Sequence, residues 1–357
     1  MVVLLVMAAV SINEGMKRVL SASGSPRNVI FVSAGSEESV QRSEIEEGAA
    51  GIAEAAVSGI TEQLGVRAVS SEIHYMNHVE FSDGRRAQAL LRGITAQALH
   101  VYPEVRIVGG HFPNAGEMMV GRLAWRKLGV AEDELKPGSF VALDGRKMRV
   151  SGVFAAPGTV LESEIWTTLG DLRVLAKRDT LSCVVLRLSD PDDFAEAELF
   201  TKLRMDLSLS ALRESDYYAH LTAFFKPLRV MTWIIAGLIA SGALFGGFNT
   251  LYAAFSSRVR EMATLQAMGF GRGSLLLSLI QESTLACMIG AFLASVIAVF
   301  VLDGRTVPFS IGAFTLSITP DVALTGIITG LLLGLIGTLP PAIRCLKPAL
   351  PTALRTS

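Results

Sequence analysis

His74 and His78 stand four apart, a spacing that would offer both imidazoles to one metal ion if the segment were helical. The run around them reads as extended, and Tyr75 stands where a zinc-protease helix would carry its glutamate. His100 and His111 add no recognisable third ligand, so all four read as ordinary surface histidines and no metal site is expected. No Gly-x-Ser-x-Gly turn presents a nucleophile, and no Gly-x-x-x-x-Gly-Lys-Ser/Thr loop could cradle phosphates. Gly269-Phe-Gly-Arg-Gly273 has the look of such a loop, but no strand leads into it, and glycines there serve better to end a helix. The acidic runs at Glu44, Glu46, Glu47 and at Asp190, Asp192, Asp193 suit solvated helix ends, carboxylates facing the positive end of the dipole. The sequence is therefore read as no enzyme, with no cofactor and no catalytic residue.

Two charged features need another explanation. Glu282 falls about two turns inside an apolar run, where a charge is costly unless it meets a partner, a cavity or the interface. It pairs with a linker arginine or a neighbouring subunit, or else lies shallow enough to reach headgroups. The second feature is residues 258–269, a charged amphipathic segment between the apolar runs 231–255 and 275–302. At 3.6 residues per turn Val259, Met262, Leu265, Gln266 and Met268 crowd one side, with Arg258, Arg260 and Glu261 in the first turn. Gly269 and Gly271 can stop it. It reads as a short helix outside the bilayer, shaped to dock into a cleft on a partner protein.

The elements that must hold this segment are long and apolar. Half of the 357 residues are hydrophobic and the mean hydropathy is +0.46, too apolar for a wholly soluble chain. Three spans are expected at about 231–255, 275–302 and 322–339. Each carries small residues at intervals near four: Gly237, Ser241, Gly242 and Gly246; Ala286, Gly290, Ala294 and Ala298; Gly326, Gly330 and Gly334. Such spacing lets membrane helices approach closely and implies a tight bundle or dimer seam. Pro340-Pro341 is expected to end the last span sharply, and the loop 303–320 to be short and outside.

Residues 1–12 are apolar but short of the ~20 needed to cross as a helix. A basic leading region and a cleavage site are wanting. Either the span begins upstream of Met1, the favoured reading, or it is completed by residues 13–20 with Glu14 and Lys17 near the interface. Between residues 13 and 227 stand 24 Lys/Arg and 29 Asp/Glu. The linker 258–272 has three arginines against Glu261, and the tail from 341 has Arg344, Lys347 and Arg355 with no acid. That asymmetry places linker and tail in the cytoplasm. Cys183, Cys287 and Cys345 lie in different regions, and no disulfide is expected.

Residues 28–218 read as a mixed α/β domain: a strand at 28–33, a helix at 44–64 with Ile45, Ile52, Ala56 and Ile60 as its stripe, and hairpins at Asp83-Gly84 and Asp144-Gly145. A short helix at 122–128 ends near Gly129, and 190–212 reads as the last helical stretch before the membrane.

Arg258, Glu261, Met262, Ala263, Leu265, Ala267, Met268 and Gly269, set between two spans, resemble the cytoplasmic coupling segment of FtsX/MacB-like permeases, the type VII ABC transporter membrane subunits. The tail 347–355 is similar to that family's closing Pro-x-x-Ala-Leu-Arg signature. Gly109-Gly110-His111-Phe112 with Glu117-Met-Met-Val-Gly121 is similar to the MacB-like periplasmic core, in which such a run precedes a small barrel-like segment. The resemblance implies a four-span α-helical membrane bundle, its first span short or truncated, with a large mixed α/β extracytoplasmic domain between spans 1 and 2. The domains are then 1–20, 21–227 and 228–357. It implies a multi-pass permease subunit of the bacterial inner membrane that transmits the movement of a separate ABC ATPase to the outer domain, for export or extraction of a substrate. The alternative is a signalling or scaffold subunit that regulates a cell-wall enzyme. Implied partners are the ATPase, a second identical or related permease, a periplasmic adaptor and membrane lipid, with no nucleic acid. The residues assigned to ATPase coupling are Arg258, Glu261, Met262, Leu265, Met268 and Gly269; to helix packing, Gly326, Gly330, Gly334 and Gly290; and Glu282 is the intramembrane polar residue.

Overall fold

The computed structural model describes residues 1–347, so the closing signature lies outside the described residues. In chain order the helices are α1 (Val2–Ser23), α2 (Gly48–Ala56), α3 (Ala98–Val101), α4 (Ala124–Leu128), α5 (Leu169–Ala176), α6 (Phe194–Leu203), α7 (Glu214–Phe224), α8 (Lys226–Ser257), α9 (Val259–Ala267), α10 (Arg272–Leu302) and α11 (Pro320–Leu346). The strands are β1 (Asn28–Ser33), β2 (Glu62–Gln63), β3 (Val66–Arg67), β4 (Val69–Glu80), β5 (Arg86–Ile94), β6 (Arg106–Gly110), β7 (Glu117–Gly121), β8 (Phe140–Leu143), β9 (Arg146–Ala155), β10 (Ile165–Thr168), β11 (Cys183–Arg187), β12 (Leu209–Arg213), β13 (Thr306–Phe309) and β14 (Gly312–Thr315). They form two compact units: Met1–Gly15 with Lys226–Arg305 and the chain from Thr315 on, and Met16–Phe225 with Thr306–Phe314.

In the second unit a ten-stranded sheet runs β12-β1-β11-β4-β5-β10-β7-β9-β6. β8 pairs with both β4 and β9, so the strands β4-β5-β10-β7-β9-β8 close into a ring. Closure removes exposed edges, and β12 covers the free side of β1 over five register positions. The turn between β8 and β9 has Asp144 and Gly145 both at positive φ, as a type I′ hairpin requires. One buried cluster joins Phe31, Ile73, Leu91, Met118, Val150 and Leu186; a second gathers Trp166, Tyr102, Phe154 and Ile94 on the other side of the sheet.

Two local expectations fail here. The helix at 44–64 contracts to α2, because Gly59 turns at positive φ and Ile45 and Ile60 are drawn into bridges with Leu181 and Leu188. Past Leu203 the helical stretch stops at Ser208, also at positive φ, and 209–213 becomes a strand on β1.

In the first unit α8, α10 and α11 are long and apolar enough to cross a membrane; among the described residues α1 does not meet that mark. α11 does not stop at Pro340-Pro341 but continues to Leu346. The lost main-chain bonds are outweighed by packing, since Ala342, Cys345 and Leu346 are buried against Phe255, Leu275 and Leu279. The connection after α10 holds the hairpin β13-β14 rather than an open loop.

Candidate functional site

The linker helix α9 is fixed at both ends. Arg258 leaves helical geometry at φ −103° and starts the turn out of α8, its N–H donating to the Phe255 carbonyl. At the far end Gly269 takes φ +101°, and the Phe270 N–H donates back to Leu265, so glycine is needed to reverse the chain. Between these ends Val259, Met262 and Leu265 pack against the Phe255, Leu275, Leu279, Ala342 and Leu346 cluster, and Ala263 is fully buried. Met262 and Leu265 are half-buried, packed in part against the chain's own long helices. What α9 leaves open is Arg260, Glu261, Thr264, Met268 at 64% exposure and Phe270 at 55%.

Arg258 of the linker meets Glu282. Its Nη1 donates to both carboxylate oxygens of Glu282 at 3.0 Å, while Nε donates to Glu261 at 3.3 Å. One guanidinium thus ties the start of α9 to α10, with all three side chains substantially solvent-exposed.

The glycine stripe of α11 is a contact surface within this chain. A Cβ on Gly330 would stand 2.4 Å from that of Ala291, on Gly334 3.1 Å from that of Cys287, and on Gly326 2.7 Å from the Met7 sulfur. Within this chain nothing lies within 4 Å of an added Cβ on Gly290, and the buried small residues of α10 are Ser283, Ala291, Ala294 and Ala298. Gly237, Gly242 and Gly246 of α8 likewise meet open space.

Within the second unit, hydrogen bonds tie the ends of its own segments to its body. Ser23, at the end of α1, accepts from the Val160 N–H at 2.8 Å. Glu214, at the start of α7, accepts from the Ser25 N–H at 3.0 Å and from Asn28 Nδ2 at 2.9 Å. Arg187 Nη1 completes this clasp by donating to Asn28 Oδ1 at 3.1 Å. The hairpin β13-β14 lies on α4: Arg126 donates to the Thr306 hydroxyl at 2.6 Å, and Lys127 to the carbonyls of Phe309 and Ser310.

A buried charge cluster escaped the sequence reading. Arg92 forks onto Glu164 at 2.7 and 2.8 Å, donates to Glu72 at 2.8 Å, and lies beside the rings of Tyr102 and Trp166. Burial opposes ionisation of Glu72, but Arg92 and the hydrogen bond from His74 overcome it and hold the carboxyl down to about 2. Burial, then Arg92, depresses His74. His74 is thus no surface histidine; His78, further along β4, and His111 are exposed, and His100 is half-buried. Glu72, Arg92 and Glu164 are each far apart in sequence and meet only through strand pairing, His74 opposite Arg92 and Arg92 opposite Trp166.

The profile of the MacB-like periplasmic core domain matches residues 2–199, more than half of the chain. The chain belongs to that family. The profile of the FtsX-like permease C-terminal domain matches residues 233–350, which contain α9, α10, Glu282 and the Gly326–Gly330–Gly334 stripe. Among solved structures, the periplasmic region of MacB from Actinobacillus actinomycetemcomitans is similar at 12% identity and a TM-score of 0.42, covering 56% of this chain and 94% of that one. The extracellular domain of the ABC-type transporter YknZ from Gram-positive bacteria is similar at 13% identity and a TM-score of 0.40, covering 52% and 99%. No curated protein matches the chain. Family membership and three long apolar helices make this MacB/FtsX-like permease a membrane protein.

Proposed function

We propose that this chain is the membrane subunit of an ATP-driven ABC transporter complex in a bacterial inner membrane, driven by a separate ATPase subunit. The observation that carries the reading is the seat of α9. Its apolar side is packed on α8, α10 and α11, and Arg258 bridges to Glu282. A pull on the exposed end at Met268 and Phe270 therefore passes into the long helices instead of being absorbed by a slack linker. On this reading Arg258, Glu261 and Gly269 shape the helix, Met262 and Leu265 anchor it, and Met268 meets the ATPase.

The chain crosses the membrane four times in this proposal, with α1 as the first span. Val3 and Met7 are buried against Ala291, Ala294, Ala298 and Val322, the packing a membrane neighbour of α10 and α11 would have. The positive linker and tail face the cytoplasm, and residues 21–227 lie outside. Movement enters the outer domain through Ser23, the Glu214 clasp and the β13-β14 hairpin. With few spans and no polar stripe along them, the work is mechanical export or extraction rather than conduction through a pore. A second permease, identical or related, completes the complex, and a periplasmic adaptor and lipid are its other contacts.

Affinity purification of the tagged chain from membranes tests the reading. Wild type should carry an ABC ATPase subunit with it. Met268→Glu places a charge in the apolar contact and should insert normally yet lose that subunit; undiminished co-purification would show that α9 is only a linker.

A further inference from the structure

Strand alternation sets three donor side chains around one point inside the outer domain. Glu72 and His74 are two apart on β4 and so share a face, and Cys183 on β11 stands directly opposite Glu72 in the ladder. His74 Nε2 lies 2.9 Å from Glu72 Oε2. Cys183 Sγ lies 3.9 Å from that nitrogen and 4.0 Å from that oxygen. Metal bonds of ~2.0–2.3 Å at tetrahedral angles hold neighbouring ligand atoms roughly 3.3–3.6 Å apart. Shifts of about half an ångström or less would make this triangle one face of such a site.

Two further observations point to a cation. Glu72 Oε1 is buried and accepts no well-formed hydrogen bond, although buried carboxylate oxygens normally have one. The Ser70 hydroxyl, two residues back on β4, stands near enough to favour the carboxylate yet is itself left without a formed bond. The charges around it also fail to balance. Arg92 is in ion-pair contact with both Glu72 and Glu164, so one guanidinium faces two carboxylates that are 1% exposed or less. A neutral His74, as a ligand must be, leaves one negative charge unmet.

We propose that Glu72, His74 and Cys183 bind a thiophilic divalent cation, zinc being the ion that this oxygen, nitrogen and sulfur set suits. Binding breaks the Cys183 S–H bond, forms a metal–sulfur bond and releases one proton to solvent. The imidazole stays neutral by carrying its proton on Nδ1 while Nε2 takes the metal. The two positive charges then cancel the Cys183 thiolate and the surplus carboxylate. His74, 11% exposed at its side chain, is the rim through which solvent reaches the cluster. The ion ties β11 to β4, and so joins the β12-β1-β11 flank to the closed ring. This site stands apart from α9 and does not depend on how the ATPase is engaged.

The test uses the full-length protein in detergent, stripped with a chelator and titrated with Co²⁺ alone. A thiolate-to-cobalt charge-transfer absorption with tetrahedral d–d bands should appear, saturate at about one equivalent per chain, and be displaced by Zn²⁺. Cys183→Ser should lose the charge-transfer absorption, and His74→Gln should weaken Co²⁺ binding by about 100-fold or more. Cys287→Ser and Cys345→Ser should leave the spectrum unchanged. Thermal unfolding of the metal-free variants shows that they are folded, and Zn²⁺ should raise the Tm of wild type but not of Cys183→Ser. A wild-type spectrum without charge transfer, or one that survives Cys183→Ser, overturns the proposal.

Discussion

Arg258 and Glu282 form an ion pair whose geometry is better than its energy. Both Glu282 oxygens sit at 3.0 Å from one nitrogen, yet the side chains are 41% and 59% exposed. Such a pair is worth about 0–1 kcal/mol. Glu282→Gln should therefore lower the thermal stability of the purified protein little, while reducing the ATP turnover that the complex couples to work outside. A large loss of stability with coupling intact would make the pair structural. The buried cluster is the opposite case. Removing Arg92 leaves Glu72 and Glu164 desolvated and unpaired, so Arg92→Ala should destabilise by roughly 3–5 kcal/mol, measured as a large fall in unfolding temperature of the full chain in detergent. The sequence could offer Glu282 its partners because Arg258 lies one short helix away. It could not offer Arg92 to Glu72 and Glu164, since strand pairing across the β4-β5 and β5-β10 ladders brings them together. Cys183, opposite Glu72, was hidden for the same reason.

At the level of elements, spacing alone says where small residues lie and not what they face. The intervals of four in α11 and α10 look alike in sequence. In α11 they meet Met7, Ala291 and Cys287; in α10 Ala294 and Ala298 of the expected interval are buried, while Gly290 meets nothing within this chain and its neighbour Ala291 makes the contact to Gly330. Gly330→Leu should accordingly force α10 and α11 apart and forfeit the dispersion contacts that hold membrane helices together. The expected readout is a loss of monodisperse protein after extraction, with Gly237→Ala, which meets open space, behaving as wild type. Equal behaviour of the two variants would remove the seam. Pro340-Pro341 teaches the same lesson from the other side: a local stop signal yields when the residues beyond it, Ala342, Cys345 and Leu346, are needed for packing. Likewise α9 was legible as amphipathic, but its apolar face turns inward, so Leu265→Glu should damage folding, whereas Met268→Glu should damage only association.

For the whole molecule, the three long apolar helices and the short helix between the first two were legible because membrane spans need long apolar stretches. The order of strands in the ring was not, because it depends on pairings between distant segments; the hairpin between α10 and α11 is a local pairing that the sequence reading passed over as loop. A cytoplasm-only reporter inserted near Gly271 should be active and the same reporter at Asp144 silent; activity at Asp144 would reverse the assigned orientation. The central claim is that ATP-driven movement begun at α9 reaches the outer domain. Hydrogen exchange of the assembled complex, compared without nucleotide and trapped with ATP and vanadate, reads this directly. Protection should change around Ser25–Asn28, along Glu214–Phe224 and in the 306–314 hairpin, and the change should vanish in Met268→Glu. Identical exchange in the two wild-type states, or the same change in Met268→Glu, would contradict it.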